Sequence, residues 1–154
     1  MTARMLGEER TAFLQRDFYQ GFIKTCGFKL ETLEPGLAKS SLEVTKAHSQ
    51  QDDFVHAGVM ATMADHTAGY AAFSVVSEDS RILTLEFKIN FLRPAVGERL
   101  ICRAKVVKEG KNILVADSEV YSQRDGVEKL AAKALVTLMA VPVEALRAEE
   151  TAEG

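Results

Sequence analysis

Residues 56–76 constrain the fold more than any other segment, because nearly every side chain in this stretch is apolar or small. The segment has the length and composition of one long helix of about 30 Å. A helix that is apolar almost all round must be covered on several sides. We therefore expect an α+β fold in which a curved antiparallel sheet wraps this helix and a second subunit touches it.

Asp65 is the one acidic residue within that segment. Its neighbours at helical spacing are all small: Gly58, Ala61, Ala68, Gly69 and Ala72. Such a stripe lets another surface approach closely, and a carboxylate buried there without a partner is costly. Asp65 is therefore predicted to have either a buried partner or a chemical role.

The apolar periodicity predicts further elements on both sides of this helix. An N-terminal helix is expected over about 8–24, with Gly27 as its stop. Strands are expected over 28–32, 37–44, 83–91, 100–107, 113–122 and 130–141, with a hairpin turn at Asp125-Gly126. Residues 130–141 are apolar on both faces and should lie inside the sheet.

The strand that follows Ser80 shows the clearest alternation in the chain. Leu83, Leu85, Phe87, Ile89 and Phe91 are expected on one face, and Thr84, Glu86, Lys88 and Asn90 on the other. The charged tail, residues 144–154, is expected to fray.

Composition restricts the classes of function. The 154 residues, taken as a single domain over 1–154, carry a net charge of −3 without a basic run, which argues against nucleic acid as a partner. No window is apolar enough to span a membrane, and the first ten residues lack the apolar core of a signal peptide. Cys26 and Cys102 belong to no metal or disulfide motif, so a cytoplasmic protein is expected.

Two motifs carry a family resemblance. His56-Ala57-Gly58 followed by Ala64-Asp65, together with Thr84-Leu85-Glu86-Phe87-Lys88-Ile89-Asn90-Phe91-Leu92-Arg93-Pro94-Ala95, resembles the hotdog-fold acyl-CoA thioesterases of the phenylacetate-degradation type. The similarity runs over about residues 48–141, and the family's usual His-Gly-Gly appears here as His-Ala-Gly. The resemblance implies a hotdog fold, a homodimer or homotetramer, and hydrolysis of acyl-CoA without a metal or other cofactor.

The resemblance also implies roles for individual residues. Asp65 would be the nucleophile or general base, and the Gly58 amide would hold the thioester carbonyl. Gln50 would be a polar helper, and Thr84 would position water. Apart from the resemblance, His56, Val59 and Arg93 are candidates for substrate contact. Arg93 could meet a CoA phosphate, or it could be only a turn residue before Pro94.

Helix geometry adds a condition to this assignment. Gly58 and Asp65 lie seven residues apart, roughly 10 Å along one helix axis, so one helix cannot easily offer both groups to one carbonyl. Antiparallel helices from two subunits would solve the problem, with Gly58 of one subunit facing Asp65 of the other. The sequence therefore predicts a composite site at a dimer interface.

Several alternatives remain open from the residues alone. Gln51 or His48 could take the place of Gln50, His56 could simply cap the helix, and His66 could serve only in packing. The chain has no serine-hydrolase elbow, no dinucleotide fingerprint and no spacing typical of metal ligands. The competing function is a non-catalytic acyl-CoA-binding or regulatory hotdog protein.

Overall fold

A computed structural model of the protein describes residues 6–146. Over residues 8–142, three helices and six strands follow one another: α1 (Glu8–Phe18), α2 (Gly21–Cys26), β1 (Lys29–Glu34), β2 (Leu37–Glu43), α3 (Ala57–Phe73), β3 (Ser80–Phe91), β4 (Arg99–Glu109), β5 (Ile113–Arg124) and β6 (Val127–Pro142). A single 3₁₀ turn, Lys46–His48, lies between β2 and α3. None of the described helices is long and apolar enough to cross a membrane.

The six strands form one antiparallel sheet in the order β1-β2-β4-β5-β6-β3. Helix α3 contacts all six strands, so the sheet curves around it. This is the wrapped-helix arrangement that the sequence predicts. β6 lies between β5 and β3, which confirms that the strand apolar on both faces is an interior one.

Small side chains let α3 sit close to the sheet. Ala64, Ala68 and Ala71 are fully buried on the helix, together with the larger Met63. Burial of this face supplies the main force that holds the helix in place.

Two buried polar contacts then fix the helix rotation. Ser118 Oγ of β5 donates to the Ala64 carbonyl at 2.9 Å, and the hydroxyls of Ser40 and Thr67 lie 2.7 Å apart. Because unpaired buried polar groups are costly, these contacts favour one helix orientation over its rotated alternatives. The carbonyl that accepts from Ser118 belongs to the peptide bond between Ala64 and Asp65.

The turn between β5 and β6 has the backbone that its sequence predicts. Asp125 and Gly126 have φ values of 50° and 77°. Two successive residues with positive φ are the signature of a type I′ hairpin turn, which matches the twist of the flanking strands. The Asp-Gly prediction is confirmed.

The N-terminal segment is helical as predicted, but it forms two helices and not one over 8–24. The chain leaves α1 after Phe18 and re-enters a helix at Gly21, where φ is 52°. Apolar residues 18 and 22 keep the helical spacing across the break, so periodicity alone cannot reveal it. Gly27 does end α2, in the left-handed conformation with φ of 78°.

The predicted strict alternation of β3 is wrong at its first half. The pairing of β3 with β6 shifts register between Thr84 and Glu86, so Leu85 lies in a β-bulge. Thr84 stands opposite the fully buried Leu138, on the helix-facing side of the sheet. Leu83 stands opposite Met139, on the other side.

Two element ends also differ from expectation. The central helix ends at Phe73 with Ser74 as its C-cap, three residues before the predicted end at 76. Residues 143–146 are helical, and residues 147–154 of the charged tail lie outside the described part of the chain.

Candidate active site

Asp65 lies half-buried in the middle of α3 and contacts the edge strand β3. The Thr84 hydroxyl donates to Asp65 Oδ1 at 2.8 Å. Burial raises the pKa of the Asp65 carboxyl above its ordinary value, while the Thr84 hydrogen bond acts in the opposite direction. A half-buried carboxylate with a raised pKa and one specific donor is typical of a general base or nucleophile.

A cavity of about 240 Å³ opens beside this carboxylate. It lies between α1, α3 and the start of β3, and its polar lining comes from Asp17, His66, Tyr70, Arg81 and Thr84. Gly69 lines it one turn beyond Asp65, and a side chain there would meet nothing within 4 Å. The small-residue stripe is thus in close contact at Ala68 and Ala72, which are fully buried, but leaves open space at Gly69.

Helix α1 closes the far side of this cavity through polar contacts to α3. Tyr70 donates to Asp17 Oδ2 at 2.8 Å, and His66 Nε2 donates to the Phe18 carbonyl at 3.1 Å. The Phe18 ring packs 4.5 Å from the His66 ring. Burial lowers the pKa of His66 to about 4, so its imidazole is neutral at pH 7. His66 thus has a packing role, one of the alternatives open from the sequence.

The N-terminus of α3 lies two turns away from Asp65. His56 is the N-cap, and its Nδ1 accepts a hydrogen bond from the Gly58 amide at 2.8 Å. The amide predicted to hold a thioester carbonyl therefore already has a partner within the chain. The preceding Ala57 amide donates to no group among the described residues, as is usual at a helix start.

A wider groove of about 490 Å³ runs past this helix start. Gln50, Gln51, His56, Ala57 and Arg93 supply its polar lining. Its apolar lining includes Phe54, Met60, Phe91 and Leu92.

The lining of the groove distinguishes among Gln50, Gln51 and His48, the three candidates for the polar helper. His48 is engaged elsewhere, since its Nε2 donates to the Cys26 carbonyl at 2.9 Å and its Nδ1 accepts from the Thr45 amide at 2.9 Å. Gln50 and Gln51 both line the groove. Val59 is half-buried in the first turn of α3 and is not part of the groove lining, whereas Ala57 and Met60 of that turn are.

The predicted site residues thus fall into two groups in one chain. Asp65 and Thr84 meet in the smaller cavity, whereas Gln50, His56 and Arg93 lie on the wider groove. Neither the smaller cavity nor the wider groove is lined by residues of both groups.

Two features of the site were missed by sequence reasoning. The Ala57 amide is a backbone group, and only its position one residue after the cap could have pointed to it. Asp17 carries no motif, and it reaches the cavity only because α1 packs over α3.

Within residues 6–146, no group of three His, Cys, Asp or Glu side chains is arranged to hold a metal ion. The two cysteines are free thiols, and Cys102 is fully buried. Burial raises the pKa of the Cys102 thiol to about 11, so it is a poor candidate for a nucleophile.

Known proteins are similar to this chain in architecture and in sequence. The sequence profile of the thioesterase superfamily matches residues 53–129. The crystal structure of a thioesterase family protein from Silicibacter pomeroyi is 43% identical and superposes with a TM-score of 0.82, over 85% of this chain and 98% of that one.

Two curated relatives are also similar. A Saccharolobus solfataricus protein described as a candidate esterase is 31% identical over 72% of this chain and 71% of its own length. The 1,4-dihydroxy-2-naphthoyl-CoA hydrolase of Listeria monocytogenes is 28% identical over 71% of this chain and 87% of its own length.

These matches cover the helix α3 and the strand β3 that build the candidate site. They also favour an enzyme over the non-catalytic binding protein that the sequence left open. The chain therefore belongs to the thioesterase superfamily, has the hotdog fold and is a thioester hydrolase.

Proposed function

We propose that the protein hydrolyses acyl-CoA thioesters to a free acid and CoA. The observation that carries this proposal is the half-buried Asp65, hydrogen-bonded to Thr84 beside an open cavity. A similar protein named as a CoA hydrolase supports CoA as the thiol component. The cavity of about 240 Å³ beside Asp65 is the place proposed for the acyl group, which favours compact aryl or medium-length acyl chains.

Asp65 is proposed to act in one of two ways. As a general base, it takes a proton from a water molecule that attacks the carbonyl carbon. As a nucleophile, it forms a mixed anhydride with the acyl group, which water then hydrolyses. In both routes the C–S bond breaks and CoA leaves as a thiolate, which takes up the proton released by the attacking water. Thr84 is proposed to hold the carboxylate and the attacking water in position.

The thioester oxygen is proposed to bind at the N-terminus of α3. Helix amides and the helix dipole favour the negative charge that develops on this oxygen. The Ala57 amide is available there, and the Gly58 amide becomes available when the His56 ring turns away from it. Gln50, on the same groove, is proposed as a further donor, with His56, Val59 and Arg93 contributing to substrate binding.

The two halves of this site are proposed to come from two subunits of a homodimer. β3 is an edge strand, and the cavity beside Asp65 touches its start, at Arg81 and Ile82. The helix-start groove touches the other end of β3, at Phe91 and Leu92. A two-fold axis between two β3 edges pairs them antiparallel, which brings the start of one strand beside the end of the other.

This arrangement gives every dimer two equivalent sites. Each combines Asp65 and Thr84 of one subunit with the helix start of the other. The exposed apolar residues of β3 support such pairing: Leu83, Leu85, Phe87 and Phe91. Membership of the phenylacetate-degradation subfamily, a cytoplasmic location, assembly of dimers into tetramers and catalysis without a cofactor remain part of the proposal.

Thiol release from a panel of acyl- and aryl-CoA esters tests the proposed activity. Wild-type protein should release CoA, and Asp65→Asn should lower kcat by roughly 10²- to 10⁴-fold, because it keeps the shape but removes the base. Unchanged kcat in Asp65→Asn would exclude this carboxylate from the reaction. Circular dichroism and thermal unfolding of both proteins control for folding.

A further inference from the structure

Polar side chains lie buried between α3 and the sheet, in a place that the proposed mechanism does not use. Cys102 of β4 and Ser118 of β5 are both fully buried. Cys102 Sγ lies 3.2 Å from Ser118 Oγ, and Ser118 donates to the Ala64 carbonyl at 2.9 Å. Since the serine has one hydroxyl proton, which the carbonyl accepts, the thiol is the donor to the serine. A directed chain of hydrogen bonds therefore runs from β4 through β5 to α3.

This chain ends on the peptide bond that joins Ala64 to Asp65. Within the helix the Ala64 carbonyl accepts a hydrogen bond from the amide four residues further on, and the Ser118 hydroxyl uses its second lone pair. An alanine at position 118 would pack against the helix without needing a partner, and a neutral hydrogen bond of this kind adds little net stability. Stability alone therefore gives no reason for the hydroxyl.

The position of the Asp65 carboxylate is sensitive to the rotation of α3 about its axis. The carboxylate lies about 5 Å from the helix axis, so a rotation of about 10° moves it by about 1 Å. A shift of this size away from β3 takes Asp65 Oδ1 out of hydrogen-bonding range of the Thr84 hydroxyl, which is 2.8 Å away. Misplacement of a reacting group by about 1 Å lowers a rate by as much as roughly 10²-fold.

The side chains next to Asp65 oppose such a rotation only weakly. Ala64, Ala68 and Ala71 are fully buried on α3, and each has a single methyl group to interlock with its surroundings. Met63 is also fully buried, but its unbranched chain adapts to small shifts. Directional hydrogen bonds therefore fix the angle of the helix more sharply than these side chains do.

We infer that Ser118, supported by Cys102, is a positioning residue for the reaction. It sets the angle of α3 at which the Asp65 carboxylate meets the Thr84 hydroxyl. Asp65 is thus held at two points, its backbone from β5 and its carboxylate from β3. The inference rests on the proposed function for the role of Asp65 in the reaction, but the position of the carboxylate is measurable without activity.

The pKa of Asp65 reports on the contact with Thr84, because that hydrogen bond stabilises the ionised carboxylate. NMR titration of the Asp65 carboxyl carbon measures this pKa, with the signal assigned from Asp65→Asn. The proteins compared are wild type, Ser118→Ala, Thr84→Val and the double variant Ser118→Ala/Thr84→Val. The other titratable groups that line the cavity are the same in all four proteins: Asp17, His66, Tyr70 and Arg81.

Ser122→Ala is the matched control. Ser122 lies on the same strand and the same face as Ser118 and is also buried, but it has no hydrogen bond to α3 within the described chain. Ser122→Ala should keep the wild-type pKa of Asp65 and the wild-type kcat. Urea unfolding of every variant controls for folding. If Ser118→Ala does not fold, Cys102→Ala, which removes only the thiol donor, takes its place in the comparison.

Ser118→Ala should raise the pKa of Asp65, by less than Thr84→Val does, because the contact between Ser40 and Thr67 still limits the rotation. In the Thr84→Val background the same change should add no further shift, since the hydrogen bond on which it acts is already gone. In kinetics, Ser118→Ala should lower kcat by roughly three- to tenfold at unchanged KM, because the base moves while the substrate contacts stay.

An Asp65 pKa that is equal in Ser118→Ala and wild type would overturn the inference. A shift of the same size with and without the Thr84 hydroxyl would overturn it too, since Ser118 would then act by another route. Failure of the proposed function gives a different pattern. Wild-type protein would then release thiol from no ester, while a pKa shift that depends on Thr84 would still support the positioning of Asp65 by Ser118.

Discussion

Two opposing effects act on the pKa of the Asp65 carboxyl. Half-burial raises the pKa of the carboxyl, and the hydrogen bond from Thr84 lowers it. An aspartate must be ionised to act as a base or as a nucleophile. Activity should therefore be present above the Asp65 pKa and should be lost as the pH falls through it.

The variant Thr84→Val should shift this acid limb to higher pH. It removes the hydroxyl that stabilises the ionised form, so the pKa of Asp65 rises further above its ordinary value. The measurement is the pH profile of kcat for wild type, Thr84→Val and Thr84→Ser. Thr84→Ser keeps the donor and should retain the wild-type limb. A limb that stays in place in Thr84→Val would show that Thr84 does not act on the ionisation of Asp65.

The sequence singled out Asp65 and Thr84, which are hydrogen-bonded in the structure, but it did not reveal their surroundings. Asp65 stood out as an acid in an apolar helix, and Thr84 was singled out by family resemblance alone. Alternation placed Thr84 away from Phe87, whereas the bulge at Leu85 puts both on the helix-facing side. The sequence left open that His56 caps the helix, but the imidazole rotamer that accepts from the Gly58 amide could not be predicted.

The cavity beside Asp65 depends on the packing of α1 over α3. Arg10 of α1 donates to the Phe73 carbonyl at 3.0 Å, and Tyr70 of α3 donates to Asp17 of α1. These contacts at two points hold α1 across the cavity beside Asp65. The periodicity of residues 8–24 indicated a helix there, but its partner surface on α3 depends on tertiary packing.

Gly69 provides a test of the acyl position on this element. Gly69→Leu should lower kcat/KM by at least roughly tenfold, because the new side chain enters the cavity beside Asp65. Gly69→Ala is the matched control and should raise the free energy of unfolding by about 0.5–1 kcal/mol, since alanine favours a helix. The measurements are steady-state kinetics and urea unfolding. Wild-type kcat/KM in Gly69→Leu for every ester would place the acyl group elsewhere.

The whole molecule presents a long unpaired edge at β3. Strand edges with exposed apolar side chains are prone to pair with another chain unless they are blunted or covered. β3 has twelve residues, and its exposed apolar side chains extend from one end of the strand to the other. The apolar helix predicts contact with a second subunit from the sequence alone. The strand that forms the free edge is known only from the order of strands in the sheet.

Leu85→Lys should shift the protein from dimer to monomer. Lysine on an edge strand disfavours pairing with another edge, and Leu85 is 52% exposed at the centre of β3. Sedimentation velocity measures the shift, and activity should fall with the dimer fraction because each proposed site combines two chains. Val107→Lys makes the same change at an exposed apolar position on β4 and should remain dimeric. A Leu85→Lys protein that is monomeric and fully active would contradict the composite site.

Complementation in mixed dimers tests the composite site most directly. One chain carries Asp65→Asn and the other carries Ala57→Pro, which removes the amide N–H at the first helical position, where proline is tolerated. The extended backbone of His56 is compatible with a following proline. Each homodimer should be nearly inactive.

Heterodimers isolated with two different affinity tags test whether each site is shared between subunits. One site of each heterodimer combines an intact Asp65 with an intact helix start, and the other site has lost both. The heterodimer should therefore recover about half of the wild-type kcat per dimer. A heterodimer no more active than the two homodimers would contradict a site shared between subunits.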